Sequence, residues 1–181
     1  MNKRPARTEK SKAKLKSAFL TLFQTKEPES ITVKELCEEA GLNRSTFYAN
    51  YGYMDALIQE IIRERIEMVC IGTVVQWDLP LEDGGVDRGA IASYLARFLS
   101  DPILLRFCTC ANSEKYRTLI IRIQVEINLG PAESPLKYYI AYCHNAGVMN
   151  LILEWFNNGK IISRDSIIEI IHEFSKAMYR T

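Results

Sequence analysis

What this chain lacks narrows its chemistry before any motif is read. Its 181 residues include only two histidines and five cysteines, an odd number with no framework-like spacing. Such usage argues against a disulfide scaffold and for reduced thiols, as in a cytosol. Cys108-Thr-Cys110 is not a C-x-x-C redox or zinc pair, and two histidines cannot anchor a histidine-rich metal site. No apolar run reaches the roughly eighteen residues that a membrane span needs. The N-terminal MNKRPARTEKSKAKLKSAFL is basic, but it has no continuous apolar core and no small-residue cleavage site. It does not read as a signal peptide. Also missing are the H-E-x-x-H, G-x-S-x-G, phosphate-loop and paired-carboxylate patterns, so an enzyme is not expected. These absences point to a cytoplasmic protein with no metal, cofactor or membrane partner.

Net charge is likewise small, at +1. Its distribution is uneven. Residues 1–52 carry ten Lys/Arg against six Asp/Glu, whereas residues 53–181 carry thirteen against sixteen. Seven of the ten basic residues fall within the first sixteen positions, from Lys3 to Lys16. A basic arm that feeds a helix is the kind of cluster that collects phosphates.

What is present is apolar residue at helical spacing. Hydrophobic content of 48% suffices for a packed core, and 25% charge argues against disorder. Leu15, Ala18, Phe19, Leu22 and Phe23 form the stripe of a first helix over about 9–25. A long helix is predicted from Met54 to about Trp77, then a break at 78–88, where Pro80, Gly84 and Gly85 cluster. Further helices are predicted over 86–99, from Asp101-Pro102, over 113–129, over 136–157 and after Ser163. No strand partner is visible, and the fold class is all-α.

Residues 31–51, ITVKELCEEAGLNRSTFYANY, carry the most information. Thr32 with Glu35 three residues on has the form of a capping box. Val33, Leu36, Cys37 and Ala40 then fall at i, i+3, i+4 and i+7. Gly41 suits a left-handed helix end, and Asn43 suits the cap of a second helix. That second helix exposes Arg44, Ser45, Thr46, Tyr48 and Asn50, which are donors and aromatics suited to phosphate oxygens and base edges. The layout is that of a DNA-reading helix-turn-helix.

ITVKELCEEAGLNRSTFYANYGYMDAL resembles the N-terminal domain of the TetR/AcrR family of bacterial transcriptional regulators. The resemblance is carried, without gaps, by Thr32, Val33, Leu36, Ala40, Gly41, Leu42, Thr46, Phe47, Tyr48, Tyr51 and Leu57. Met54 stands where the family's pattern has lysine, and Asn50 where it has histidine. The resemblance implies an N-terminal three-helix DNA-binding domain (residues 1–52) joined to a helical ligand-binding and dimerisation domain (residues 53–181). It implies a sequence-specific regulator, a dimeric repressor relieved by a small-molecule effector. Its operator would be double-stranded and roughly palindromic, since two identical helices must reach two half-sites. Arg44 would make a bidentate contact to guanine, with Ser45 and Thr46 near base edges or phosphates. Tyr48 and Tyr51 would direct hydroxyls at phosphates, and Thr32 would offer its backbone amide. Val33, Asn43 and Asn50 complete the expected DNA-binding set.

In such proteins the last two long helices form the dimer interface, which here would draw on Tyr139, Gly147, Leu151, Trp155, Ile167, Ile171 and Phe174. An effector pocket would draw on polar or aromatic groups within apolar stripes: Tyr94, Phe98, Phe107, Tyr116, Tyr142 and His144. The alternative is a co-activator of the same build that acts through a protein partner, with weak or absent DNA binding.

Overall fold

The computed structural model describes residues 4–71, 86–129 and 134–179. Nine α-helices and one short 3-10 turn make up the described chain, and none of those residues lies in a strand. The helices are α1 (Arg4–Phe23), α2 (Val33–Ala40), α3 (Arg44–Asn50), α4 (Met54–Cys70), α5 (Arg88–Ser100), α6 (Pro102–Thr109), α7 (Ser113–Leu129), α8 (Pro135–Asn157) and α9 (Arg164–Tyr179). The last residues of the helix predicted to reach Trp77 and most of the predicted break at 78–88 lie outside the described residues. No helix among those described is long and apolar enough to cross a membrane. The chain divides into two compact units, residues 1–62 and 63–181, and the division falls within α4.

In the first unit, α1 packs against α2 and α3. Leu15, Phe19 and Phe23, spaced at i, i+4 and i+8 on α1, are fully buried, and the two phenyl rings stack at 5.6 Å. Leu36 of α2, Phe47 of α3 and Leu57 of α4 are fully buried as well. Full burial of each such side chain contributes about 1.5–3 kcal/mol. That burial holds the two short helices, which would be marginal alone.

In the second unit, α7 packs on α8 and α6, while α9 packs on α5 and α8. Its core includes Leu95, Phe98, Leu104, Phe107, Tyr116, Ile120 and Ile152. Helix starts follow the predicted caps. Asp101 Oδ1 accepts from the Ile103 and Leu104 amides at 2.9 and 3.0 Å, with Pro102 at the first helical position. Ser163 Oγ accepts from the Ser166 amide at 3.1 Å to start α9. The α8–α9 connection turns through Gly159 and Lys160, both at positive φ, and the Trp155 indole donates to the Ile162 carbonyl at 2.9 Å across it.

Candidate functional site

Two places gather polar side chains, one on the surface of the first unit and one inside the second. The surface site is built on α2, its turn and α3. Thr32, in extended backbone, caps α2: its hydroxyl accepts from the Glu35 amide at 3.2 Å. In return Glu35 Oε2 accepts from the Thr32 amide at 3.0 Å and the Thr32 hydroxyl at 2.8 Å. Lys26 pairs with the same carboxylate. That pairing, followed by the two bonds from Thr32, holds the Glu35 carboxyl at a pKa of about 2. The Thr32 amide, expected to meet a phosphate, is therefore engaged by Glu35. Val33 follows, half-buried, in the first turn of α2.

Gly41 ends α2 at φ 62, ψ 40, and the Leu42 amide closes on the Cys37 carbonyl at 2.9 Å. A side chain at 41 would strain that left-handed backbone. Asn43 then caps α3 with one oxygen that accepts three bonds. They come from the Thr46 amide (2.8 Å), the Thr46 hydroxyl (2.7 Å) and the Ser45 hydroxyl (2.7 Å). Both hydroxyl protons are thus committed to the cap, while both oxygens keep their capacity to accept. Ser45 and Thr46 can receive a base amino group without disturbing the helix; donation to a phosphate requires one cap bond to break.

Arg44 is exposed at the start of α3 and makes no ion pair among the described residues. Its charge is felt at Cys37, where burial raises the thiol pKa and Arg44 offsets part of the rise. Tyr48 is 57% exposed, its ring edge-on to the buried Phe47 at 5.3 Å. Asn50 donates its amide to the Thr46 carbonyl at 2.7 Å, and its buried Oδ1 has no hydrogen-bond partner among the described residues. Tyr51 is only 4% exposed, with the Lys12 ammonium 5.2 Å above its ring. Lys12 and Lys16 of the basic stretch pair with Glu60 at 2.8 and 3.2 Å. Partial burial pushes the Glu60 carboxyl up, but the two ammonium groups outweigh it and hold it below its ordinary value.

The interior site is a cavity of about 60 Å³ in the second unit, bordered by Cys70, α5, α7, α8 and α9. Of the residues expected in a pocket, Tyr94 and His144 line it. Phe98 instead stacks behind Tyr94 at 5.9 Å, and Phe107 and Tyr116 pair at 4.9 Å in the buried core. Tyr142 stacks on Tyr138 at 6.4 Å along α8. Polar walls that the sequence reading omitted are Gln124, Asn128, Asn145 and Ser175. A signal for two of them exists: Gln124 and Asn128 lie one turn apart on a helix whose other buried positions are Tyr116, isoleucines and a valine.

The Gln124 amide donates to the Tyr94 hydroxyl, and burial raises the Tyr94 phenol pKa. Ser175 Oγ donates to the Ile171 carbonyl at 2.7 Å and lies 2.8 Å from His144 Nε2. With the only serine proton so used, the imidazole must donate, which places its proton on Nε2. Burial pushes His144 down to about 4, so it is neutral at pH 7. Burial also raises the Cys70 thiol to about 11.

The residues expected at a dimer interface divide by exposure. Tyr139 is 65% exposed. Leu151 is half-buried, while Trp155, Ile167 and Ile171 are buried within the unit. A Cβ on Gly147 would meet the Phe174 ring at 2.9 Å, so α8 and α9 make their close approach there. The Phe174 ring in turn stacks on the His144 imidazole at 5.6 Å. Further apolar exposure on these helices comes from Leu136 and Ile170.

No protein-family model matches the sequence, and no curated protein matches it. Among solved structures, the chain is similar to that of a TetR family repressor, AlkX from Dietzia sp.. The TM-score is 0.49 and the sequence identity 15%, over 92% of this chain and 95% of that one.

Proposed function

We propose that the chain is a sequence-specific DNA-binding transcriptional regulator of the TetR/AcrR type, active as a dimer. Residues 1–52 bind DNA and residues 53–181 carry the dimer face and an effector cavity. The observation that carries this reading is the surface of α3. Its seven residues contain no carboxylate and present an exposed guanidinium with no ion pair among the described residues, two hydroxyls and an exposed phenol on a helix capped at its first turn. Arg44 reaches a guanine edge bidentately, Tyr48 meets a phosphate, and Ser45 and Thr46 accept from bases. The buried Tyr51 and the internally bonded Asn50 hold this surface in place. Leu136 and Tyr139 on α8 and Ile170 on α9 supply apolar area for the second copy. A small molecule in the second unit relieves repression.

Selection of bound fragments from genomic DNA, followed by a mobility-shift assay on the enriched sequence, tests this directly. The expected result is retention of a roughly palindromic site, weakening as salt rises. No retained DNA at low salt would sink the reading. The pairing of Lys12 and Lys16 with Glu60 favours one rival, a co-activator that works through a protein partner. That rival predicts no shift with the chain alone and a shift once the partner is added.

A further inference from the structure

Asn43 caps α3 and touches two of its hydroxyls, and its chemistry decides which way those hydroxyls can bond. The Thr46 amide meets Asn43 Oδ1 at 2.8 Å. A backbone N–H can only donate, so the side-chain atom facing it must be the carbonyl oxygen and not the amide nitrogen. The Ser45 and Thr46 hydroxyls each lie 2.7 Å from that same oxygen. Against an atom that only accepts, each commits its single proton. Ser45 is exposed and Thr46 half-buried, so Ser45 is the one placed to meet a partner, with an oxygen that can only accept.

A DNA duplex gives that commitment a consequence. In the major groove every base pair shows one exocyclic amino group and one keto oxygen, on opposite strands. Adenine N6 lies across from thymine O4, and cytosine N4 across from guanine O6. An unconstrained serine serves either, by donating to the keto oxygen or accepting from the amino group. For Ser45 the two are unequal. Accepting from an amino group adds a hydrogen bond and gives up none. Donating to a keto oxygen exchanges the bond to Asn43 for one to the base, with no net gain. The difference is one hydrogen bond, or about fivefold in affinity.

We infer that Asn43 sets the base preference of α3. By holding the Ser45 proton it makes Ser45 a reader of amino groups, adenine N6 or cytosine N4, and a poor partner for thymine O4 or guanine O6. Asn43 is thus a positioning residue that acts on the operator through Ser45. The reader is a side-chain oxygen, since the Thr46 amide is already engaged by the cap. The inference rests on the DNA-binding reading proposed above, in which the first residues of the second helix stand at base edges.

The test uses the full chain and the operator selected from genomic DNA. Each base pair of one half-site is inverted in turn, A·T to T·A or G·C to C·G, which moves the amino group to the other strand. Fluorescence anisotropy gives the ratio of affinities for the parent and inverted operators. Ser45→Ala identifies the position that Ser45 reads, as the inversion whose penalty falls by about fivefold. Asn43→Gly removes the holding oxygen while largely keeping the cap, and should lower the penalty at that same position by the same factor. Asn43→Asp keeps an accepting oxygen and should keep the full penalty, even where its charge weakens binding to every operator alike. A cap with a structural role only would shift all operators together and leave their ratio unchanged. An unchanged ratio in Asn43→Gly overturns the inference, as does the absence of any inversion whose penalty depends on Ser45; both leave the DNA-binding reading standing. Wild-type chain that retains no DNA at low salt overturns the reading and the inference together.

Discussion

The two units are made of the same material, amphipathic helices closed by polar caps, yet they place their hydrogen bonds on different scales. In the first unit the bonds that shape the candidate surface span three or four residues: Thr32 with Glu35, Asn43 with Thr46, Asn50 with Thr46. In the second they join segments far apart in sequence. Gln124 meets Tyr94 across 30 residues, His144 meets Ser175 across 31, and His172 meets the Val86 carbonyl across 86. The candidate surface on α2 and α3 is set by local rules. A cavity wall is set by tertiary packing, and it fails when that packing loosens.

Acid should separate the two units most widely. The unfolded imidazole takes up its proton near pH 6.5 and buried His144 only near 4. Its contribution is therefore full above about pH 6.5 and is lost as the pH falls from there toward 4, at roughly 3 kcal/mol in total. Glu35 in the first unit behaves oppositely in range. Its carboxyl is held at about 2, so the α2 cap survives to about pH 4.5 and weakens only below it. Hydrogen exchange resolved by segment, between pH 7 and 4, should show α8 and α9 losing protection while α2 and α3 keep theirs. Simultaneous loss in both units would break the contrast.

A slightly smaller effect is expected at the DNA surface. Arg44→Ala should weaken operator binding by about 1–3 kcal/mol, or about five- to 150-fold, and relax preference at one base pair. Tm should not move, because Arg44 makes no ion pair among the described residues. Fluorescence anisotropy on matched and substituted operators reads this out, and unchanged specificity would remove the assigned base contact. Asn43→Ala should cost about 1 kcal/mol of stability through the lost cap, measurable by urea titration. Asn43→Gly should cost only a few tenths. An equal loss in both would show that the three bonds to Asn43 matter little. Lys12→Ala should change stability by less than about 1 kcal/mol, since Glu60 keeps Lys16 and the pair is partly exposed.

The scale of these bonds also decides what could be read from the chain. The capping box at Thr32, the left-handed Gly41, the Asn43 cap and the Asp101-Pro102 start are short-range chemistry, and each stands in the structure where residue spacing places it. The all-helical class follows from the same periodicity. The cavity was legible only in part. Residue type could nominate Tyr94 and His144, but it could not tell an aromatic wall from an aromatic core, and Phe107 and Tyr116 lie in the core. Ser175 was invisible for the opposite reason. It is fully buried among isoleucines, and only the approach of His144 from another helix gives it meaning. Thr32 taught a further limit: a capping box was expected, yet its consequence, an amide already engaged, needs the geometry.

Gly147 links these themes over time rather than space. A methyl group there would press on Phe174 at 2.9 Å, and Phe174 is the ring that lies on His144. Any side chain at Gly147 has to move the Phe174 ring, and with it the stack on His144. The order in which substitutions arrive thus matters on α8: a smaller residue at 174 makes room at 147, whereas a side chain at 147 first displaces the ring.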